Sequence, residues 1–157
     1  MALKNGYYNR GAGANFVPAY QISGVPYVTS SGGNNVTDTP QKVTFPYATR
    51  FFQITNTSEN PLRVGFTING VNGTGASTTG SAYETAGAAR CNNYLVVSGS
   101  GGGHQAATVR LELRCKELYV RRDGSVDAGF SLIAGLTSVQ SSQFPVLTGS
   151  QGFQGIG

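Results

Sequence analysis

The sequence predicts an all-β fold, a sandwich or barrel of seven or eight short antiparallel strands. Three observations carry that expectation. Gly supplies 23 of 157 residues, about twice the usual share, and charged residues make up 11% against the usual quarter. Apolar and polar residues alternate over several runs, the period of a half-buried strand. Turn-forming Gly, Asn, Ser and Asp separate those runs at short spacing. The length suits one domain with a real core.

Residues 1–39 read as an extended N-terminal arm, with Tyr7, Tyr8, Phe16 and Tyr20 as its anchors. Pro18 and Pro26 favour extended backbone before them. For residues 19–29 a second reading stands beside it, as the sandwich's first strand. The sandwich domain then occupies 40–157.

"QKVTFPY" (41–47) puts Val43, Phe45 and Tyr47 on one face, and "RFFQITN" (50–56) does so for Phe52 and Ile54. "LRVGFTI" (62–68) alternates, with Leu62, Val64, Phe66 and Ile68 inward. "TSENP" between these last two runs is turn chemistry, so they read as a hairpin. "NGVNGTGASTTG" (69–80) is a Gly-rich loop, and "YETAGAAR" (83–90) has room for about two helical turns. "NYLVVS" (93–98) is a short apolar strand, followed by the turn "GSGGGHQ" (99–105).

"TVRLELRC" (108–115) is the clearest strand, with Val109, Leu111, Leu113 and Cys115 inward. Leu118 and Val120 fall out of phase with it, which predicts a bulge or corner near Lys116 and Glu117. "RRDGS" (121–125) reads as a hairpin turn on Asp123-Gly124. "VDAGFSLIAGLT" (126–137) returns as a strand, and "FPVLTG" (144–149) is a candidate last one. The strand count fits a jelly roll or an immunoglobulin-like sandwich; the lack of Trp and of a domain-spanning Cys pair disfavours the latter.

No constellation for catalysis emerges. The lone His104 lies in a turn with no second ligand nearby. Glu112 and Glu117 sit among arginines, the pattern of ion-paired surface. Asp123 and Asp127 lack the spacing of a calcium loop. "GSGGGHQ" lacks the Lys and Ser/Thr of a phosphate-binding loop. No catalytic, metal-binding or cofactor-binding residue is therefore expected, and no cofactor. The net charge is +4, but the basic residues are scattered and acidic residues interrupt their densest stretch, unlike a nucleic-acid stripe. No apolar run has the length of a signal core or membrane span. A reducing compartment follows as the expectation, with Cys91 and Cys115 as free thiols; a bridge between them is the other reading.

The ending is unusual. No charged residue follows Asp127, yet ten large apolar side chains do, among them Phe144, Phe153 and Ile156. A disordered tail would be poorer in such residues.

"KELYVRRDG" and "FSLIAGLTSVQSSQFPVLTGSQGFQGIG" together resemble the penton protein of the nucleocytoplasmic large double-stranded DNA viruses. "FFQITNTSENPLRVGFTINGVNG" followed by "NNYLVVSGSG" is similar to the first half of those proteins. The resemblance spans about Arg50 to Gly157. It implies a single jelly roll standing in the capsid shell, non-enzymatic, five copies closing each fivefold vertex. Its implied partners are itself, the major capsid protein and minor capsid proteins, with an internal membrane or vertex fibre as further candidates and no specific nucleic acid. Its implied place is the virion vertex, after assembly in the host cytoplasm. On this reading the neutral ending is interface, because interface cores are depleted in charge. Tyr7, Tyr8, Phe16, Tyr20, Phe144, Phe153 and Ile156 are the candidate contact residues. For 144–147, packing on the chain's own sandwich is the other reading. A carbohydrate- or receptor-binding sandwich module, or a minor (cement) capsid protein, is the alternative function.

Overall fold

The computed structural model describes residues 24–72, 84–85, 88–89, 92–145, 147 and 156. The strands are β1 (Val25–Ser30), β2 (Gln41–Thr44), β3 (Tyr47–Asn56), β4 (Leu62–Gly65), β5 (Glu84–Thr85), β6 (Ala88–Ala89), β7 (Tyr94–Val97), β8 (Thr108–Leu111), β9 (Glu117–Arg122) and β10 (Phe130–Gln140). A short helix, α1 (Ile68–Asn72), follows β4. Two four-stranded antiparallel sheets form, ordered β1-β10-β3-β8 and β2-β9-β4-β7, and β5 pairs with β6 apart from both. The fold is an all-β sandwich.

Period-two alternation sets which side chains meet between the sheets. In the first sheet Tyr27, Ala134, Phe52 and Leu111 form one inward row, and Thr29, Leu132, Ile54 and Val109 the next. In the second, Val120, Val64 and Leu95 share a row with Gln41. Phe45, Phe52, Ile54, Leu62, Leu118, Leu132 and Leu136 are fully buried between them. Of the eight residues expected inward in "LRVGFTI" and "TVRLELRC", Leu62, Val64 and Cys115 are buried, Phe66, Val109, Leu111 and Leu113 pack against the core half-buried, and Ile68 is exposed.

Two expected hairpins are instead crossings between sheets. β3 and β4, joined across "TSENP", belong to different sheets, as do β9 and β10, joined across "RRDGS". The reason for the first crossing is Asn56, fully buried at the end of β3. Its amide donates to the carbonyls of Asn60 (2.7 Å) and Val97 (2.9 Å). Its oxygen accepts from the Ser58 N–H (2.9 Å) and hydroxyl (2.7 Å). That set steers the chain toward β7 and the other sheet. The 99–101 segment packs on the same loop: a Cβ at Gly99 would lie 2.4 Å from the Glu59 carbonyl.

Other differences are local. "LRVGFTI" is a strand only to Gly65; Ile68 opens α1 and is exposed. The described residues of "YETAGAAR", Glu84–Thr85 and Ala88–Ala89, form the strands β5 and β6 rather than helical turns. "TVRLELRC" is a strand only to Leu111, though Cys115 is buried as expected. The corner near Lys116 is present: Phe45 N–H bonds the Lys116 carbonyl (2.8 Å) and β9 begins at Glu117. Among the described residues of 144–149 there is no strand. Residues 25–30, within the expected arm, form β1 and pair along their whole length with β10.

α1 lies on the outer face of the second sheet. Val71 is fully buried there, and a Cβ at Gly65 would sit 3.4 Å from it. The Arg63 and Arg121 guanidinium groups both donate to the Asn72 carbonyl. Cations at a helix C-terminus satisfy its unpaired carbonyls.

Candidate functional site: an apolar cleft at one edge of the sandwich

The sandwich closes at one lateral edge and stays open at the other. At the β1/β2 edge, Tyr27 meets Phe45 edge to face, with ring centroids 5.1 Å apart. At the β7/β8 edge a cleft of about 360 Å³ remains between the sheets. Phe52, Ile54, Val109 and Leu111 line it from the first sheet, and Val64, Phe66 and Leu95 from the second. Asn92, Asn93 and Tyr94 stand at its mouth. The cleft exists because inward positions of both edge strands lack a facing layer: Leu95 points inward in register yet is 43% exposed. Burying a Leu side chain from full exposure contributes roughly 1.5–3 kcal/mol, so with 43% of Leu95 still exposed the open edge leaves about 0.6–1.3 kcal/mol of that unused. The size and apolar lining are those of a ligand or side-chain receptor.

A second apolar patch lies at the opposite edge, on the outer face of the first sheet. Val28 and Ile133 are direct cross-strand partners there, 69% and 43% exposed. Pro26 and Gly135 form the adjoining outward pair, and Ser30 and Ser131 the one beyond. Farther across the sheet, Arg110 lies over the Phe51 ring at 3.9 Å and is held by Glu112 at 2.7 Å.

The outer face of the second sheet is occupied. Lys42, Tyr119, Gly65 and Tyr94 share one row across its four strands. Arg63 stacks over Tyr94 at 4.4 Å and pairs with Asp123 at 2.7 Å. Lys42 sits 5.6 Å above Tyr119 and 2.6 Å from Glu117, and its hydrogen bond to that carboxylate raises its pKa.

Each polar candidate has an ordinary setting. Glu112 pairs with Arg110, Glu117 with Lys42, Asp123 with Arg63 and Asp127 with Arg122. His104 is exposed in its turn. Cys115 is a buried free thiol within 3.4 Å of the Thr49 hydroxyl, and burial pushes its pKa up to about 11. Among the described residues no three His, Cys, Asp or Glu side chains gather as a metal ion would require. None of their helices is long and apolar enough to cross a membrane.

Of the candidate contact residues, Tyr7, Tyr8, Phe16, Tyr20 and Phe153 lie outside the described residues, as does Cys91. Phe144 is half-buried, and its carbonyl accepts from the Lys116 ammonium at 3.2 Å. Ile156 returns to the chain's own fold: its carbonyl accepts from the Thr67 hydroxyl at 2.7 Å, next to Gly70. Sequence reasoning missed Val28, Ile133 and Leu95 as surface residues. A signal was present for the last two. "SLIAGL" and "YLVV" are apolar without alternation, which calls for cover on both faces of a strand.

Comparison of the chain with protein-family models, with curated proteins and with solved structures returns no match.

Proposed function

We propose that this chain is a single jelly-roll capsid protein whose homopentamers close the fivefold vertices of an icosahedral shell. The observation that carries the reading is the pairing order of the eight sandwich strands. Leaving β5 and β6 aside, the first strand pairs with the eighth (β1–β10), the second with the seventh (β2–β9), the third with the sixth (β3–β8) and the fourth with the fifth (β4–β7). That is the ladder of one long hairpin, rolled over so that β10 also meets β3 and β9 also meets β4. A jelly roll is an eight-stranded double sheet of this kind, and viral capsid domains are prominent among its users. Fold alone does not assign function; the penton-like C-terminal sequence and the charge-poor lateral edges supply the rest.

On this reading the protein performs no chemistry and takes no cofactor. Its partners are its own copies, the major and minor capsid proteins around the vertex, and an internal membrane or a fibre at the vertex. Its place is the virion, assembled in the host cytoplasm. A minor or cement role would use the same fold at other shell positions. A glycan-binding module would use Tyr94 and Tyr119, which share a row on one outer face; the cations stacked on them and α1 over Gly65 weigh against that. Mass photometry of the full chain, with cryo-electron microscopy of particles carrying it, tests the proposal. Five-copy rings at fivefold vertices are expected. A threefold ring, or monomers in the particle, would refute it, and clear hits on a glycan array would favour the module.

A further inference from the structure

The two lateral edges carry complementary patches. Resting on the ring reading above, we infer that they are the two halves of one subunit contact: the β1 edge of one copy, led by Val28, seats against the cleft-bearing β7/β8 edge of the next.

Four observations converge on a second copy as the occupant. The first is distribution. Eight large apolar side chains are exposed among the described residues, and five of them lie on these two edges: Val25, Val28 and Ile133 on one, Leu95 and Val96 on the other. The second is charge. Every residue lining the cleft is neutral, as is every residue of β1 and its partners on β10. A neutral apolar edge fits a neutral apolar cleft, whereas a charged insert would be stripped of water without a partner. The neighbouring charges, Arg110 with Glu112 and Arg63 with Asp123, are already paired within the chain. They form a polar rim around an apolar centre, as interfaces do.

The third observation is where the rest of the chain enters. Residues 1–23 join the fold at β1, whose first bond runs from Gly24 N–H to the Leu136 carbonyl (2.9 Å). A copy seated by β1 thus presents the start of its described sandwich, at Gly24, to that neighbour. The fourth is geometry. The patches lie on opposite edges of one subunit, so the contact is head to tail, and such a contact repeats into a ring or a filament.

Disulfide trapping in the full chain tests this. Val28→Cys and Leu95→Cys are introduced together in a Cys91→Ser background. Cys115 is buried and stays protonated at pH 8. The two new thiols sit on opposite edges, so a bond between them links two copies. Mild oxidation is expected to move most of the chain into a ladder of linked species, while either single variant gives nothing beyond dimers. A ladder ending at five supports both the contact and the fivefold reading. One that closes at another number, or runs on, keeps the contact and removes the fivefold ring. Five-copy rings in mass photometry without a ladder overturn the contact and leave the ring. Unlinked monomers overturn both, whereas a cleft filled by the chain's own residues 1–23 or by a small apolar molecule overturns the contact alone. Leu95→Lys provides a second reading: at least a tenfold rise in the concentration needed for rings, with the monomer's far-UV circular dichroism unchanged. Rings that form at the wild-type concentration would overturn the contact.

Discussion

Replacing Asn56 by Ala tests whether one amide holds the crossing from the first sheet to the second. The side chain is fully buried and uses its whole capacity, two donated and two accepted hydrogen bonds. An amide can do no more. At a net ~0.5–1.5 kcal/mol each, four bonds total roughly 2–6 kcal/mol. The single Ser58 hydroxyl proton is shared between the Asn56 oxygen (2.7 Å) and the Asn60 carbonyl (2.9 Å) and turns fully to the carbonyl once the amide is gone, which moves the expectation to the lower half, about 2–4 kcal/mol. For a chain of this size that is a fall in thermal midpoint of about 6–12 °C. Urea unfolding of the monomer, followed by tyrosine fluorescence and far-UV circular dichroism, measures it. Thr55→Ala is the control, since it removes one exposed bond between hydroxyls, Thr55 to Thr108 at 2.8 Å, and should cost under ~1 kcal/mol. If Asn56→Ala costs no more than that control, the crossing is held by something else and the reasoning fails. Asn56→Asp should be as damaging at pH 7 and recover in acid. A carboxylate facing two carbonyls in a buried site has a raised folded pKa, so its deficit grows as pH climbs through that value.

Leu62→Ala should cost about 2–5 kcal/mol, because Leu62 is fully buried, whereas Leu111→Ala, beside the open cleft, should cost about half as much; equal losses in urea unfolding would show that the cleft is closed. Cys115 should resist a thiol reagent at pH 8 in the folded protein and react in urea; fast labelling of the folded chain would contradict its burial. Its thiol is held above the ordinary value, up to about 11, so the folded form holds its proton longer than the unfolded form. Stability should therefore decline from about pH 9 to about pH 11 by roughly 2–3 kcal/mol, and a Cys115→Ala variant that declines as steeply would assign the effect to other groups.

The sequence by itself determined where apolar side chains alternate, and with that most strand positions. Phe52 and Ile54, Leu62 and Val64, and the core of "FSLIAGLT" are buried because period two aims them at one side of a strand. That rule is local, and a few residues are enough to express it. The unalternating runs around Leu95 and Ile133 held a further signal, that apolar side chains stay exposed on the edges of the sandwich. Partner choice was not legible. A short polar turn serves a hairpin and a crossing equally well; the Asn56 bond to Val97, 41 positions away, and the bonds from the Ser100, Gly101 and Asp123 N–H groups to the Ser58, Glu59 and Pro61 carbonyls tie the loop after β3 to the second sheet. "LRVGFTI" alternates to its end, yet it bends into α1 after Gly65, where Val71 finds cover on the outer face. The cleft belongs to neither strand that borders it. β7 and β8 each read as ordinary apolar strands, and only their placement at the same unsealed edge of two stacked sheets leaves Leu95 and Leu111 facing a gap.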